Sequence, residues 1–577
     1  MASHENINNN TNSSSSLPIE CWQEILKNLE NDKKSLHSFL LVNRTWCKII
    51  VPILWNNPFQ LVCQSSCDNN DNDEYHEDSL SEYFENFDIN MVDLNEFDGY
   101  EIGTTYAGSI KYMSNLSNYM LKCGESYFES NKNYFRKRRL IFLQKRLIQT
   151  YLRFLNEEER QVLINHEILT DLKTAKNFIS DFDNSKISSK FFFFRYPPIF
   201  DYPNYLRELP YNLLCESIES WLWSFRETCQ SNKSLIVAQE LCKLFMRKSK
   251  WINSLSFTYY VPSNECFFSS IKDFLFLTEF DGAERCLRSL KNLKCAFHSD
   301  QWRPIMMKMA KICNQVESLD IRCIGEPHKS WLDESAKSII KFIEIQNELK
   351  HIKVNCCGNY CPLTRIIPSL IVHVKSLEYI EFVHINFNGG SVLKFIADCQ
   401  NLKTLIFRDC IDFNSFDFTP IGALWLQNVT KLVFVDTTLD PNDILPIIKL
   451  CKKLFELCFD LGDDIEYLGL FGRYMPENLK HLTIDATGIE ISTLEEFLIC
   501  NKAKNLESLR FTAWTCRNFT DQHLSIITQH LGKSLKRLDL HLNDAHGQGG
   551  VSWEGIQMAQ SIIEVVTTEG EYEYDTW

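Results

Sequence analysis

One short phrase of apolar and polar positions recurs along the second half of the chain. It reads apolar, two variable residues, Leu or Ile, one variable residue, apolar. The copies are Ile252–Phe257, Val316–Ile321, Leu349–Val354, Leu377–Phe382, Leu402–Phe407, Val429–Phe434, Leu454–Phe459, Leu479–Ile484, Leu506–Phe511 and Leu535–Leu540. From Leu319 onward the fourth positions lie roughly 25 to 33 residues apart, a spacing that marks stacked repeats. Alternation with period two predicts a strand with one buried face. Between phrases, Val392–Cys399 and Ile444–Cys451 carry helical spacing. One strand and one helix cannot bury their own apolar face, so neighbouring units must stack. The expected outcome is a curved parallel sheet with helices outside it.

The front of the chain has a different rhythm. After a polar leader, Pro18 suits the first turn of a helix, where its missing N–H costs little. Trp22, Ile25, Leu26 and Leu29 then fall on one helical face. Leu36, Phe39 and Leu40 mark a second short helix, and Arg44–Trp55 a third, which Pro52 is expected to kink or end. Three helices in so few residues make a very small core, so a partner is expected to complete their burial.

The middle is less regular. No Lys or Arg stands between Lys48 and Lys111, and 68–101 is dense in Asp, Glu and Asn. Such a stretch repels itself and reads as a solvated, disordered insertion; its Tyr83, Phe84 and Phe87 leave open ordering on a basic partner. Arg136-Lys137-Arg138-Arg139 reads either as the charged start of an amphipathic helix running to Asn156 or as a localisation or nucleic-acid signal. Residues 161–246 are mixed helix and loop, expected to cap the open end of the repeats. Trp553–Val565 predicts a last helix before the acidic, aromatic tail 569–575.

The net charge of −15 argues against a general nucleic-acid binder. No apolar run approaches the ~18 residues of a membrane span. A cytoplasmic or nuclear setting with no membrane partner is expected, and the 22 cysteines should be mostly reduced. There is no Cys-x-x-Cys; the nearest groupings are Cys356, Cys357 and Cys361, and Cys63 with Cys67. Buried or unpaired thiols are the main reading and a metal site the lesser one. No cofactor or metal is expected. Phosphate-loop, metalloprotease and nucleophile-elbow motifs are absent, which points away from an enzyme.

Two resemblances follow. Cysteines just before the phrase (Cys313, Cys399, Cys451, more distantly Cys500) and small or polar residues beyond it (Cys357, Cys410, Thr437, Thr487, Asn543) make the array similar to cysteine-containing leucine-rich repeats. Leu17-Pro18-x-Glu20, Ile25-Leu26-x-x-Leu29, Leu36-x-x-Phe39-x-Leu41-Val42-Asn43-Arg44-x-Trp46 and Leu54-Trp55 resemble an F-box, departing at Cys21 and Asn43. Together they resemble F-box/leucine-rich-repeat proteins, substrate receptors of SCF-type ubiquitin ligases. The resemblance implies an α/β architecture: an N-terminal three-helix F-box (17–59), a helical linker or cap (131–249), and a C-terminal leucine-rich-repeat solenoid (250–550), a horseshoe with parallel strands on its concave face. A disordered leader (1–16), an acidic Asn-rich insertion (60–130) and a C-terminal helix with acidic tail (551–577) complete it. It also implies that Leu17, Pro18, Ile25, Leu26 and Leu29 contact a Skp-type adaptor, and through it a cullin–RING scaffold. A leucine-rich-repeat scaffold or inhibitor outside any ligase is the alternative.

Strand residues out of phase with the buried ones should face the concave side. The middle of that face (Val383, Ile406, Val433, Val435) is unusually apolar for a solvated surface. An apolar patch ringed by charge fits a protein contact. Tyr379, Ile406, Arg408 and Val433 are therefore the expected contacts to an unidentified protein substrate; the competing reading is that the tail or a loop covers them.

Overall fold

The computed structural model describes residues 19–29, 32–40, 42–63, 140–169, 198–223, 231–257, 277–297, 302–323, 329–356, 365–387, 391–412, 425–437, 441–486, 488–512, 515–540 and 550–568. The leader, Leu17 and Pro18, the acidic stretch 68–101, the basic run 136–139, and the tail 569–575 lie outside them.

Among the described residues, thirteen strands form a single sheet in strict sequence order, and every pairing is parallel. They are β1 (Glu208–Pro210), β2 (Ser254–Phe257), β3 (Asn292–Phe297), β4 (Ser318–Cys323), β5 (His351–Cys356), β6 (Tyr379–Val383), β7 (Thr404–Arg408), β8 (Lys431–Val435), β9 (Glu456–Asp460), β10 (His481–Asp485), β11 (Ser508–Phe511), β12 (Arg537–Leu540) and β13 (Val565–Thr567). One strand per repeat, each beside its sequence neighbour, is the architecture of a leucine-rich-repeat solenoid. The register is fixed by the phrase: Leu255 opposes Leu293, Leu293 opposes Leu319, and the fourth positions stay aligned to Leu538 and Val566. A one-residue slip would carry this whole apolar row to the other face.

The sheet extends beyond 250–550 at both ends, and it contains one further repeat whose phrase departs from the pattern. In β3 the phrase is Leu290-x-x-Leu293-x-Cys295, with a thiol in the last apolar slot. Cys295 is fully buried and behaves there as a small hydrophobe. In β1 and β13 only the first and fourth positions are apolar (Leu206 and Leu209, Ile563 and Val566).

The second residue of each phrase offers its carbonyl to two N–H groups of the next strand. Arg207 accepts from Asn253 and Ser254 (2.7 and 3.1 Å), Lys350 from Glu378 and Tyr379 (2.8 and 3.0 Å), Lys480 from Glu507 and Ser508 (2.8 and 2.9 Å). At the same slot opposite charges face each other: Lys291 and Lys350 flank Glu317 (2.8 and 2.9 Å), and Lys480 and Lys536 flank Glu507 (2.5 and 2.8 Å). These two lysines hold the half-buried Glu507 carboxyl down at about 2. Each exposed pair contributes little to stability, but a slipped register would set like charges together.

The convex layer varies. Trp302–Ile312, Lys329–Glu344, Pro441–Leu450, Ile491–Cys500 and Asp521–Leu531 are α-helices. The stretch near 392–399, read as a helix of ordinary spacing, is a 3₁₀ helix (Ser391–Asp398), as is Ile367–His373. The expected convex thiols are in place: Cys313, Cys399 and Cys451 are buried, and burial pushes each up to about 12. Cys500 is half-buried, and Cys356 is disulfide-bonded. Between the layers runs a column of phenylalanines from the sixth positions: Phe407 stacks on Phe434 (5.7 Å, 6°) and tilts against Phe382 (5.7 Å, 34°).

At the amino end three helices, Ile19–Lys27, Lys33–Leu40 and Arg44–Leu54, enclose a core of their own. Leu26, Leu36, Ile49 and Ile50 are buried there, and Trp46 meets Trp22 edge-on and stacks on Phe39, both at 5.0 Å. Asn43 Oδ1 accepts from Thr45 N and Trp46 N (2.9 and 3.0 Å), so this residue caps the third helix well. Pro52 lies inside that helix without ending it, because Trp55 N still reaches Val51 O at 2.9 Å.

This module is fused to the sheet. Asn56 O accepts from Arg207 N and Glu208 N (3.0 and 3.1 Å), the same double acceptance that joins later repeats. Asn56 thus acts as a rung ahead of β1, although the long segment to Arg207 intervenes in sequence. Trp55 stacks on Tyr202 (4.0 Å), and Asn57 Nδ2 donates to Glu208 Oε2 (2.5 Å). Behind the joint, helix Glu157–Asn165 is fixed by an Asn156–Glu159 capping box, and Arg247 Nη2 donates to both Glu159 oxygens (2.9 and 2.8 Å).

Candidate functional site

Two surfaces carry the residues singled out from the sequence. On the three-helix module, Ile25 is 43% exposed and Val42 59%. Leu29 is half-buried against the small core, whereas Leu26 is buried within it and serves packing. Of the five expected adaptor contacts, Ile25 and Leu29 are therefore the described ones with accessible side chains.

The second surface is the sheet face opposite the convex helices. Alternation puts Tyr379, Glu381 and Val383 of β6, Ile406 and Arg408 of β7, and Val433 and Val435 of β8 on it. The register brings the four expected contacts together: Glu381 opposes Ile406, Ile406 opposes Val433, and Tyr379 opposes Thr404 on the way to Lys431. The apolar middle, expected to be exposed, is not. Ile406 is 1% and Val433 2% exposed, and with Val435 they form a cluster separate from the main core. Tyr379 and Cys458 pack against it from the same face.

Charged side chains adjoin this cluster. Glu381 is buried; Lys353 Nζ lies 3.0 Å from its Oε1, and the Tyr379 hydroxyl donates to its Oε2. Burial, then the hydrogen bond to this carboxylate, raises the Tyr379 phenol well above its usual value, so it stays a donor. Arg408 is only 7% exposed, and its Nε stands 3.6 Å from Glu381 Oε1. Burial pushes the Cys458 thiol up to about 12, which makes it a neutral wall rather than a nucleophile. Glu381 and Lys353 were not among the expected contacts. The signal was present: opposite charges fill the same slot of consecutive phrases, directly opposed in the ladder.

Beyond β8 the face turns acidic. Asp460 and Asp485 follow Val435 in the same row of strand ends, with Asp436 beside them. All three carboxyls are raised, first by burial; Asp409 and Asp460 add to this at Asp436, whereas backbone N–H groups partly offset it at Asp460, and Asp485 reaches about 6 despite accepting from the Thr512 hydroxyl.

The chain matches no protein-family model and no curated protein. Among solved structures it is similar to a leucine-rich-repeat protein of Leptospira interrogans, at 13% identity and a TM-score of 0.25, over 57% of this chain and 86% of that one. The repeat architecture rests instead on the strand ladder and its register. That ladder defines the class by its fold alone: a leucine-rich-repeat-type solenoid with an extended sheet face. Among the described residues no helix is long and apolar enough to cross a membrane.

Proposed function

We propose that this chain is the substrate-recognition subunit of an SCF-type ubiquitin ligase. The three-helix module acts as an F-box that docks a Skp-type adaptor, and through it a cullin–RING scaffold. The sheet face holds the protein to be ubiquitylated and sent for degradation. The observation that carries this reading is the small helical module, with apolar Ile25 and Val42 exposed, fused to a parallel-strand solenoid at Asn56. The residues proposed for adaptor contact are Leu17, Pro18, Ile25, Leu26 and Leu29; Leu26, buried in the small core, would act by supporting Ile25 and Leu29. Chemistry is left to the partners. Held at a fixed offset, a bound target has a high effective concentration near the loaded enzyme.

The test is co-purification of the full chain with a Skp-type adaptor. Capture is expected, with loss on changing Leu17 and Pro18 to Ala. Failure of the unaltered chain to capture any adaptor would overturn the reading. A scaffold acting outside any ligase is the second reading, since the thirteen-strand sheet is sufficient for it. It predicts stable partner binding with no adaptor and unchanged partner turnover.

A further inference from the structure

We propose that the face over β6–β8 takes an extended segment of a partner protein, anchored by one side-chain carboxylate that pairs with Arg408 and one apolar side chain that meets Ile406, Val433 and Val435. This rests on the reading of that face as the partner-holding surface, and names what it selects.

Arg408 carries the inference. Its side chain is more than nine-tenths buried, and neither Nε nor Nη2 has a hydrogen-bond partner. The nearby acid is Glu381, at 3.6 Å from Nε, too far for a hydrogen bond. Glu381 Oε2 accepts from the Tyr379 hydroxyl, while its Oε1, itself without a hydrogen-bond partner, has Lys353 Nζ at 3.0 Å as the nearer cation. One carboxylate thus stands between two cations, and one positive charge in the group is left over. A buried guanidinium without acceptors is costly, and a planar carboxylate fits its fork. A monoanion balances the surplus charge; a dianionic phosphate would leave a buried negative charge in its place.

The surroundings set what lies beside the acid. Val433, Val435 and Ile406 form a closed apolar cluster with Cys458 packed against it, which an apolar side chain meets once the face opens. Asp460 and Asp485 stand in the same row beyond Val435 and repel a second acid on that side. Arg322 is near Asp320 (3.6 Å), and Lys431 is paired with Glu456 (2.8 Å), so neither adds a surplus charge. The motif is a single Glu or Asp next to an apolar residue rather than an acidic run. With Arg408 7%, Ile406 1% and Val433 2% exposed, binding requires the face to open around Arg408.

The experiment pans the purified full chain against a randomised displayed-peptide library. Recovered peptides are expected to share one acidic residue beside an apolar one. A synthetic peptide of that sequence should lose about ten- to a hundredfold in affinity when its acid becomes the amide, a readout that needs no altered protein. Arg408→Gln should remove the same preference, while Ile25→Asp on the other surface should not. Recovered peptides without a shared acid, or an amide peptide that binds equally well, would overturn the proposal. Tighter binding of a phosphoserine peptide would overturn the choice of carboxylate. Binding that appears only after truncation at Thr568 would make the chain's own acidic tail the occupant and overturn the choice of partner. A chain that captures the adaptor without selecting acids sinks this inference alone; one that selects acids without capturing adaptor sinks the ligase reading alone.

Discussion

Replacing Gly282 by Ala tests how the amino-terminal block is locked to the repeats. Gly282 has φ +83°, in the left-handed region that L side chains avoid. A Cβ there would stand 2.3 Å from the carbonyl oxygen of Met246 and 3.0 Å from Arg285 Nη2. Those two groups form the joint. Arg285 Nη2 donates to Met246 O, Arg247 O and Ser249 O (2.9, 2.9 and 3.2 Å), satisfying the last carbonyls of helix Ser231–Lys248. The added methyl therefore costs the left-handed strain, about 1–2 kcal/mol, plus displacement of a backbone carbonyl and its cap. A total of about 3 kcal/mol is expected. Gly462→Ala is the internal control: its φ is +51°, yet nothing lies within 4 Å of the new Cβ, so strain of about 1 kcal/mol is all it should cost. Urea midpoints of the two variants give the difference, and hydrogen exchange of residues 231–248 locates it. Equal midpoints for the two variants would refute the claim that a steric lock, rather than backbone conformation alone, holds this joint.

Further expectations concern the core, the junction and the acidic strand ends. Phe407→Ala empties a fully buried site between Phe382 and Phe434 and should cost about 3–5 kcal/mol, read from the denaturant midpoint. Trp55→Ala removes the stack on Tyr202 and the edge contact with Tyr151; hydrogen exchange should rise across 19–54 while 479–540 stays protected, and a uniform change would contradict a local joint. Asp485 has a folded pKa raised to about 6, above its ordinary 3.8, so the protonated form favours folding. Its contribution is fully present below pH ~4 and lost as pH rises through about 6. Asp485→Asn should flatten stability against pH in that window, and an unchanged slope would sink the assignment.

Much of the fold was legible from the spacing of apolar residues. Leu319, Ile352, Ile380 and their successors sit at one slot because that slot must be buried in every repeat. Burial is a local demand on residue type, so it prints a period on the sequence. β1, β3 and β13 escaped because a tyrosine, a thiol or a threonine takes the sixth slot, and the neighbouring strands supply the burial the phrase itself lacks. The return path near 392–399 was equally hidden: apolar spacing does not separate an α-turn from a 3₁₀ turn when the loop is short.

The surfaces divide in the same way. The sequence by itself determined that the chain alternates strands with returns, that its cysteines fill helix ends, and that Tyr379, Ile406, Arg408 and Val433 share one face. Tertiary structure alone decided that Ile406 and Val433 are closed from solvent, that Arg408 Nε and Nη2 have no hydrogen-bond partner while Lys353 stands nearer to Glu381, and that Asn56 joins the ladder directly ahead of Arg207. Exposure, charge balance and the joining of distant segments depend on neighbours brought together through space, and no pattern confined to one repeat records them.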